Sequence, residues 1–196
     1  MLSKPVSECF KNIKRMSSFQ AIEKWIVEDE FRLECLNVAS SILKQEWFLA
    51  AGFVRNLVWD KLQGHKISTP LNDVDVIHFS LLDISKEQDI EIENKLNKYM
   101  PNCSWSVKNQ ARMAVSHGHN AYSGCIEAMS YWPEIQTAVG VTKTKKGSFN
   151  VNSPFLAQDV VKLAATRNKK CSLEVFNSRV RSKNWKQLWP ELRIET

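Results

Sequence analysis

The segment at residues 47–79 constrains the fold of this chain more than any other. It reads WFLAAGFVRNLVWDKLQGHKISTPLNDVDVIHF, which predicts a strand, a glycine turn, a helix, a loop and a second strand. The second strand carries Asp73 and Asp75. Because residues i and i+2 of a strand point to one face, we expect both carboxylates to project together while Val74 and Val76 enter a core.

Two neighbouring carboxylates repel each other and are costly to bury. A divalent cation bound by Asp73 and Asp75 would remove that repulsion. Mg²⁺ prefers hard oxygen ligands and binds phosphate readily. The pair therefore predicts a Mg²⁺ or Mn²⁺ site that also takes a nucleotide.

The glycine turn offers a second feature suited to phosphate. Gly52 stands where a strand ends and a helix begins, so free backbone N–H groups gather there and no Cβ obstructs an anion. Arg55 falls in the first helical turn, where its guanidinium can bind a phosphate through two hydrogen bonds. A simple turn with a surface arginine explains these residues alone, but their combination with Asp73 and Asp75 favours phosphate binding.

Length, composition and cysteine usage set broad limits. The 196 residues suffice for a single domain over 1–196, with residues 1–17 as an expected flexible segment. No apolar run reaches the roughly 18 residues that span a bilayer, so we expect no membrane partner. The five cysteines are scattered and never paired as CxxC, which indicates a reducing, cytoplasmic location. The net charge of +6 suits a polyanionic ligand.

The remaining pattern predicts an α+β domain with helical extensions at both ends. Apolar periodicity and turn residues give these elements: helices at 18–28, 31–45, 53–63 (ending at Gly64), 86–99, 124–131, 153–168 and 173–188, a strand at 103–109, and a hairpin of 137–143 with 148–152.

A polar cluster follows the 103–109 strand. Lys108 is either a phosphate contact or an exposed strand lysine. The cluster is either a substrate-facing rim or a polar loop, and its other members are Asn109, Gln110, Arg112, His117 and His119. A zinc site at the two histidines is disfavoured because no cysteine or further histidine lies near. Most of the seven tryptophans are expected in the core, although Trp59, one helical turn beyond Arg55, is also a candidate to stack on a nucleobase.

The order of these motifs resembles the head of the polymerase β-type nucleotidyltransferase superfamily, whose CCA-adding enzymes and bacterial poly(A) polymerases carry GGxVRD…G…DxD. From about residue 19 onward, the chain is similar to a small bacterial nucleotidyltransferase-like family. The matching segments are GFVRNLVWD (52–60), TPLNDVDV (69–76), WSVKNQARM (105–113), WPEIQTAVGV (132–141) and WxxxWPxL (185–192).

This resemblance implies a polymerase β-type core, a small mixed sheet flanked by helices, and a metal-dependent transfer of a nucleoside monophosphate from a nucleoside triphosphate to an unidentified acceptor. Asp73 and Asp75 would be the catalytic metal ligands. The implied nucleotide and phosphate contacts are Gly52, Phe53, Arg55, Asn56 and Lys108. A small molecule or a protein is favoured over RNA as the acceptor, since the long helical domains that CCA-adding enzymes use for tRNA have no room here.

Two departures from the superfamily leave alternatives open. Phe53 follows Gly52 where a small residue is usual, and the 103–109 strand lacks the third carboxylate, for which Glu127 and Asp159 are candidate replacements. A non-catalytic nucleotide-binding or sensing protein on the same fold is therefore the main alternative. A structural protein, in which Asp73 and Asp75 merely cap a strand edge, is a third possibility.

Overall fold

A mixed five-stranded sheet forms the centre of the computed structural model, which describes residues 18–196. Its strands are β1 (Glu46–Ala50), β2 (Val74–Phe79), β3 (Trp105–Asn109), β4 (Gly140–Lys143) and β5 (Phe149–Asn152). They lie in the order β3-β2-β1-β4-β5, with β2 and β3 parallel and the other neighbours antiparallel. The mixed sheet confirms the predicted α+β class, whereas the expected flexible segment at 1–17 lies outside the described residues.

Eight α-helices are described around this sheet: α1 (Ser18–Val27), α2 (Glu30–Ile42), α3 (Gly52–Gln63), α4 (Lys86–Tyr99), α5 (Gln110–Ser116), α6 (Cys125–Met129), α7 (Ala157–Val160) and α8 (Leu173–Lys183). Side-chain caps fix several starts: Ser85 accepts a hydrogen bond from the N–H of Gln88, and Ser172 accepts one from Val175. The end of α3 at Gly64 is confirmed, because Gly64 adopts φ 81° as expected for a left-handed cap. None of the helices in residues 18–196 is long and apolar enough to cross a membrane.

The predicted helix at 153–168 is wrong. Only Ala157–Val160 is helical, and the chain then enters β6 (Ala164–Thr166), which pairs in parallel with β7 (Arg193–Glu195). The Gln136 side chain also holds this segment, donating to the Asp159 carbonyl over 2.7 Å and accepting from the Thr166 N–H over 2.8 Å. Partners distant in sequence thus outweigh the local helical pattern.

The C-terminal segment packs onto α3 through tryptophans. Trp59 of α3 is fully buried, with its ring centroid 5.4 Å from that of Trp185 and 5.0 Å from that of Trp189, both in edge-on geometry. Trp185 opens a short 3₁₀ turn (Trp185–Gln187) that follows α8. The hypothesis that Trp59 stacks on a nucleobase is therefore wrong, because its rings are enclosed by protein.

Candidate functional site

A single strained residue joins β1 to α3. Ala51 has φ 54° and ψ −122°, a conformation that glycine tolerates and that costs other residues about 1–3 kcal/mol. The glycine pair of the GGxVRD pattern falls on Ala51 and Gly52, so Phe53 follows the pair rather than belonging to it. The actual departure is therefore an alanine at the first position.

The first turn of α3 presents unpaired backbone donors. The Ala51 carbonyl accepts from Val54 and Arg55, whereas the N–H groups of Gly52 and Phe53 have no hydrogen-bond partner within residues 18–196. A Cβ placed on Gly52 would meet its nearest neighbours at 3.5 Å or more, an ordinary contact. Packing therefore does not require glycine here, and the missing Cβ leaves room for an anion beside the free donors.

Arg55 is held rigidly beside this turn. Its Nη1 donates to Thr137 Oγ1 over 3.0 Å and its Nη2 to Asn56 Oδ1 over 2.9 Å. The guanidinium carbon lies 5.0 Å from the Trp59 ring and 4.9 Å from the Trp185 ring. Burial lowers the pKa of Arg55 to about 10, so the side chain remains charged at neutral pH. Its Nε has no partner in the described part of the chain.

The two carboxylates stand at the start of β2. Asp73 is exposed and immediately precedes the strand, whereas Asp75 lies within it, half-buried, in register with Ala50 of β1 and Ser106 of β3. Neither side chain forms a hydrogen bond or salt bridge among the described residues. Burial, followed by the negative charge of Asp73, raises the pKa of Asp75 above its ordinary value. The pair has the electrostatic character of a site that a cation would stabilise.

These features line one polar cleft of about 310 Å³. The structure brings together the following predicted residues: Gly52, Arg55, Asn56, Asp73, Asp75 and Lys108. It adds Thr137, which holds Arg55, and two cations of α8, Arg179 and Lys183. The spacing of Arg179 and Lys183 by four residues on a basic helix was the available sequence signal for a shared face. Nothing local indicated that this face meets β2.

Other predicted residues lie elsewhere. Phe53 is fully buried, its carbonyl accepts from Arg32 Nε over 2.8 Å, and its side chain does not line the cleft. The side chain of Asn109 is also buried, where it caps α5 and donates to the carbonyls of Ser80 and Asp83. Both are therefore structural side chains, and a contribution of Phe53 to phosphate binding would come from its free N–H.

The rest of the predicted rim divides into two groups. Arg112 pairs with the buried carboxylate of Asp89, which also contacts His78 Nε2 at 2.8 Å. His119 packs against Tyr122 and Tyr131. Neither Arg112 nor His119 lines the cleft. By contrast, the remaining two members, Gln110 and His117, line a second cavity that adjoins it.

The two proposed replacements for a third carboxylate are occupied away from the cleft. Glu127 accepts from the N–H and hydroxyl of Ser123, and Asp159 pairs with Lys162 at 3.0 Å. A different acid lies closer: Glu134 is fully buried and is paired with Arg179 at 2.7 Å. Burial lowers the pKa of Arg55, and the negative charge of Glu134 raises it more than any other charge does. Glu134 lies in the WPEIQTAVGV segment (132–141), but no local pattern indicated that it would be near Arg55.

Asp60 connects the elements that carry the cleft. Its Oδ2 accepts from the Thr69 N–H over 2.7 Å, and its Oδ1 accepts from the Thr69 hydroxyl over 2.6 Å and from Trp189 Nε1 over 2.8 Å. Thr69 lies in the loop that leads from α3 to Asp73, and Trp189 also lines the cleft. One carboxylate on α3 therefore positions both sides of the site.

Within residues 18–196, no group of three or more His, Cys, Asp and Glu side chains is arranged to hold a metal ion. The donor set nevertheless fits Mg²⁺, which proteins commonly bind through one or two carboxylates while substrate phosphates and water complete the coordination. Asp73 and Asp75 supply the carboxylates, and the free Gly52 N–H and the Arg55 guanidinium lie in the same cleft.

Comparison with known proteins identifies the family and the fold. No curated protein matches the chain. A solved structure, described as "The NMR structure of the protein reveals a CCA-adding enzyme head domain", matches with a TM-score of 0.78 and 28% identity, over 90% of this chain and 95% of that chain. A family model described as nucleotidyltransferase matches residues 37–194. The chain therefore belongs to this nucleotidyltransferase family.

Proposed function

We propose that this single-domain protein is a metal-dependent nucleotidyltransferase, which transfers a nucleoside monophosphate from a nucleoside triphosphate to an acceptor and releases pyrophosphate. The observation that carries the proposal is the convergence of the free Gly52 N–H, the Arg55 guanidinium and the Asp73 and Asp75 carboxylates in one polar cleft. The membership of the nucleotidyltransferase family supports the same reaction class.

Asp73 and Asp75 would hold one or two Mg²⁺ or Mn²⁺ ions. When bound, such ions neutralise the carboxylates and polarise phosphate oxygens. The half-burial of Asp75 matters here, because a carboxylate with its pKa raised by burial and by a like charge gains more from a cation than an exposed one.

The remaining residues of the cleft would bind and orient the triphosphate. The first turn of α3 offers its N–H groups to the terminal phosphates, and Arg55, which Thr137 and Asn56 fix in place, adds a preorganised charge. Lys108 and Lys183 also line the cleft, and their charge acts on Asp75 to lower its pKa. This positive surround favours the approach of a polyanion.

Calorimetry tests the binding half of this proposal. Each of the four nucleoside triphosphates is titrated into the wild-type protein with Mg²⁺ or Mn²⁺ present or absent. We expect binding that depends on the metal ion. An Asp73→Asn/Asp75→Asn double variant should lose that binding. A Glu87→Gln/Glu91→Gln variant makes the same change of charge on exposed residues of α4 and should bind like the wild type. Absence of metal-dependent binding in the wild type would contradict the proposal.

A non-catalytic nucleotide-binding or sensing protein is the second candidate. The observation that favours it is the register between Asp75 and Ser106, which puts a hydroxyl where an acid on β3 would complete the carboxylate set. Pyrophosphate release distinguishes a transferase from a non-catalytic nucleotide-binding or sensing protein. A transferase should release pyrophosphate when a cell extract supplies the acceptor, and the Asp73→Asn/Asp75→Asn variant should not. Nucleotide binding without release in any extract favours the sensor.

We further propose that the acceptor is a small molecule or a protein rather than RNA, and that the protein works in the cytoplasm. The four described cysteines, at positions 35, 103, 125 and 171, are all free thiols, which supports a reducing compartment.

A further inference from the structure

A second cavity of about 320 Å³ lies on the other side of Asp75 from the polar cleft described above. The two spaces share Ala51, Asp75, Lys108, Thr137 and Arg179, so they form adjoining compartments with a common border. Along the segment that enters β2, the first compartment is bounded by Asp73 and Asp75, and the second by Asp75 and Ile77. Asp75 thus stands at the junction.

The second compartment differs in chemical character from the first. Its wall includes the apolar side chains of Ile77, Met113 and Trp132. Gln110 and His117 add hydrogen-bonding groups, while Lys108 and Arg179 lie on the shared border. Apart from Asp75, every charged side chain of residues 18–196 that lines this space is a cation. A ligand that suits it has an apolar body and one acidic group.

The geometry of nucleotidyl transfer relates the two compartments. The attacking and leaving oxygens lie on opposite sides of the phosphorus in an in-line displacement. If the leaving pyrophosphate lies beside Gly52 and Arg55, the attacking group approaches from the side opposite to them. The second compartment occupies that side of Asp75, and its volume suits a small molecule.

We propose that the second compartment binds the acceptor, and that the acceptor is a small hydroxylated molecule with an apolar body and one acidic group. This inference rests on the proposed function. The acceptor oxygen forms a bond to the α-phosphorus, the bond between that phosphorus and pyrophosphate breaks, and pyrophosphate leaves with the electron pair. The hydroxyl proton passes to solvent. The acidic group lies against Lys108 and Arg179, and the apolar body against Met113 and Trp132.

NMR binding experiments test this assignment. The probes are a panel of hydroxyaryl carboxylates and hydroxyaryl phosphates, added to protein saturated with Mg²⁺ and a non-hydrolysable nucleoside triphosphate analogue. Sugar phosphates, which carry the acid but lack the apolar body, serve as comparison probes. We expect members of the aryl panel to bind and shift the amide signals of Gln110, Met113 and His117, with sugar phosphates at least tenfold weaker.

Two variants place a negative charge in the compartment: Met113→Glu, and His117→Glu at an exposed position that should not disturb folding. Each variant should lower the affinity for the aryl probes at least tenfold, while the affinity for the triphosphate analogue stays within twofold of the wild-type value. Val115→Glu, on the same helix but 72% exposed and outside the compartment, is the matched control and should bind both like the wild type.

Three results would overturn the assignment. One is that no aryl probe binds, and another is that probes bind equally well to His117→Glu. The third is that both variants lower the affinity for the triphosphate analogue as much as the affinity for the probes, which would place the donor nucleoside in this compartment. Failure of the analogue to bind the wild-type protein would instead contradict the proposed function itself, so the two failures are distinguishable.

Discussion

Trp189 donates its indole N–H to the carboxylate of Asp60 over 2.8 Å, which fastens the C-terminal segment to α3. The same carboxylate accepts two hydrogen bonds from Thr69, within the loop that leads to Asp73. Helix α3, the loop that leads to Asp73 and the C-terminal wall of the cleft therefore meet at one buried side chain. Their relative positions depend on it.

The first prediction concerns this connection. Asp60→Asn replaces an acceptor-only carboxylate with an amide that cannot accept at both oxygens, which leaves at least one buried donor unpaired and should lower the free energy of unfolding by about 2–3 kcal/mol. Trp189→Phe removes one of these hydrogen bonds, together with part of an indole, and should cost less. The free energy of unfolding in urea is measured by tryptophan fluorescence for Asp60→Asn and by circular dichroism for Trp189→Phe. A change below about 0.5 kcal/mol for Asp60→Asn would contradict the role of this carboxylate.

The second prediction concerns the strained turn. Ala51→Gly should raise the free energy of unfolding by about 1 kcal/mol, because glycine relieves the strain at φ 54° by more than its extra unfolded-state entropy costs. Ala51→Val should be destabilising, since a β-branched side chain fits this conformation poorly. Thermal unfolding of the three proteins gives the order. If Ala51→Gly proves less stable than the wild type, the backbone at residue 51 is not strained in solution.

The third prediction separates binding from folding at Gly52. A methyl group there makes only ordinary contacts of 3.5 Å or more, so Gly52→Ala should unfold at the same temperature as the wild type. The same methyl lies beside the free N–H groups of α3 and should weaken metal-dependent triphosphate binding at least tenfold by calorimetry. Unchanged affinity would show that phosphate does not approach the backbone at this turn.

The fourth prediction follows from the raised pKa of Asp75. Its folded-state pKa lies above the ordinary value of 3.8, so the folded protein holds this proton more tightly than the unfolded chain. The resulting stabilisation is fully present below pH 3.8 and is lost as the pH rises through the folded-state pKa. At neutral pH, burial of the charged group is therefore a net cost in the metal-free protein.

Asp75→Asn should accordingly raise the unfolding temperature of the metal-free protein at pH 7, and the gain over the wild type should shrink as the pH falls below the folded-state pKa of Asp75. Differential scanning calorimetry between pH 3.5 and pH 7 tests this trend. Metal-dependent nucleotide binding should be absent from the variant. A gain that is constant with pH would mean that the titration of Asp75 is not its cause.

Local sequence patterns predicted the part of the site that one continuous segment builds. This segment contains a strand, a turn, a helix and a loop, and it carries Gly52, Arg55, Asp73 and Asp75. The apolar periodicity and the capping glycine that define these elements lie within the segment itself. The glycine pair of the GGxVRD pattern falls on Ala51 and Gly52 rather than on Gly52 and Phe53. The side chain of Phe53 packs in the core, so its predicted phosphate contact could come only from its backbone N–H.

The rest of the site depends on contacts between distant segments. Arg179 reaches the cleft by pairing with the buried Glu134, and Trp185 covers Arg55 because the C-terminal segment packs on α3. No local pattern encodes such a meeting. The same limit explains the error at 153–168, where a C-terminal strand pairs with β6 and overrides an apparent helix.

Paramagnetic NMR with Mn²⁺ tests the central claim most directly, because bound Mn²⁺ broadens the signals of nearby amides. In the presence of a non-hydrolysable nucleoside triphosphate analogue, we predict that Mn²⁺ broadens the amide signals of Gly52, Asp73, Asp75 and Ser106. The Asp73→Asn/Asp75→Asn variant should show no such broadening. Broadening in the wild type that leaves these four amides unaffected, or that persists in the double variant, would contradict a metal-bound nucleotide at this cleft.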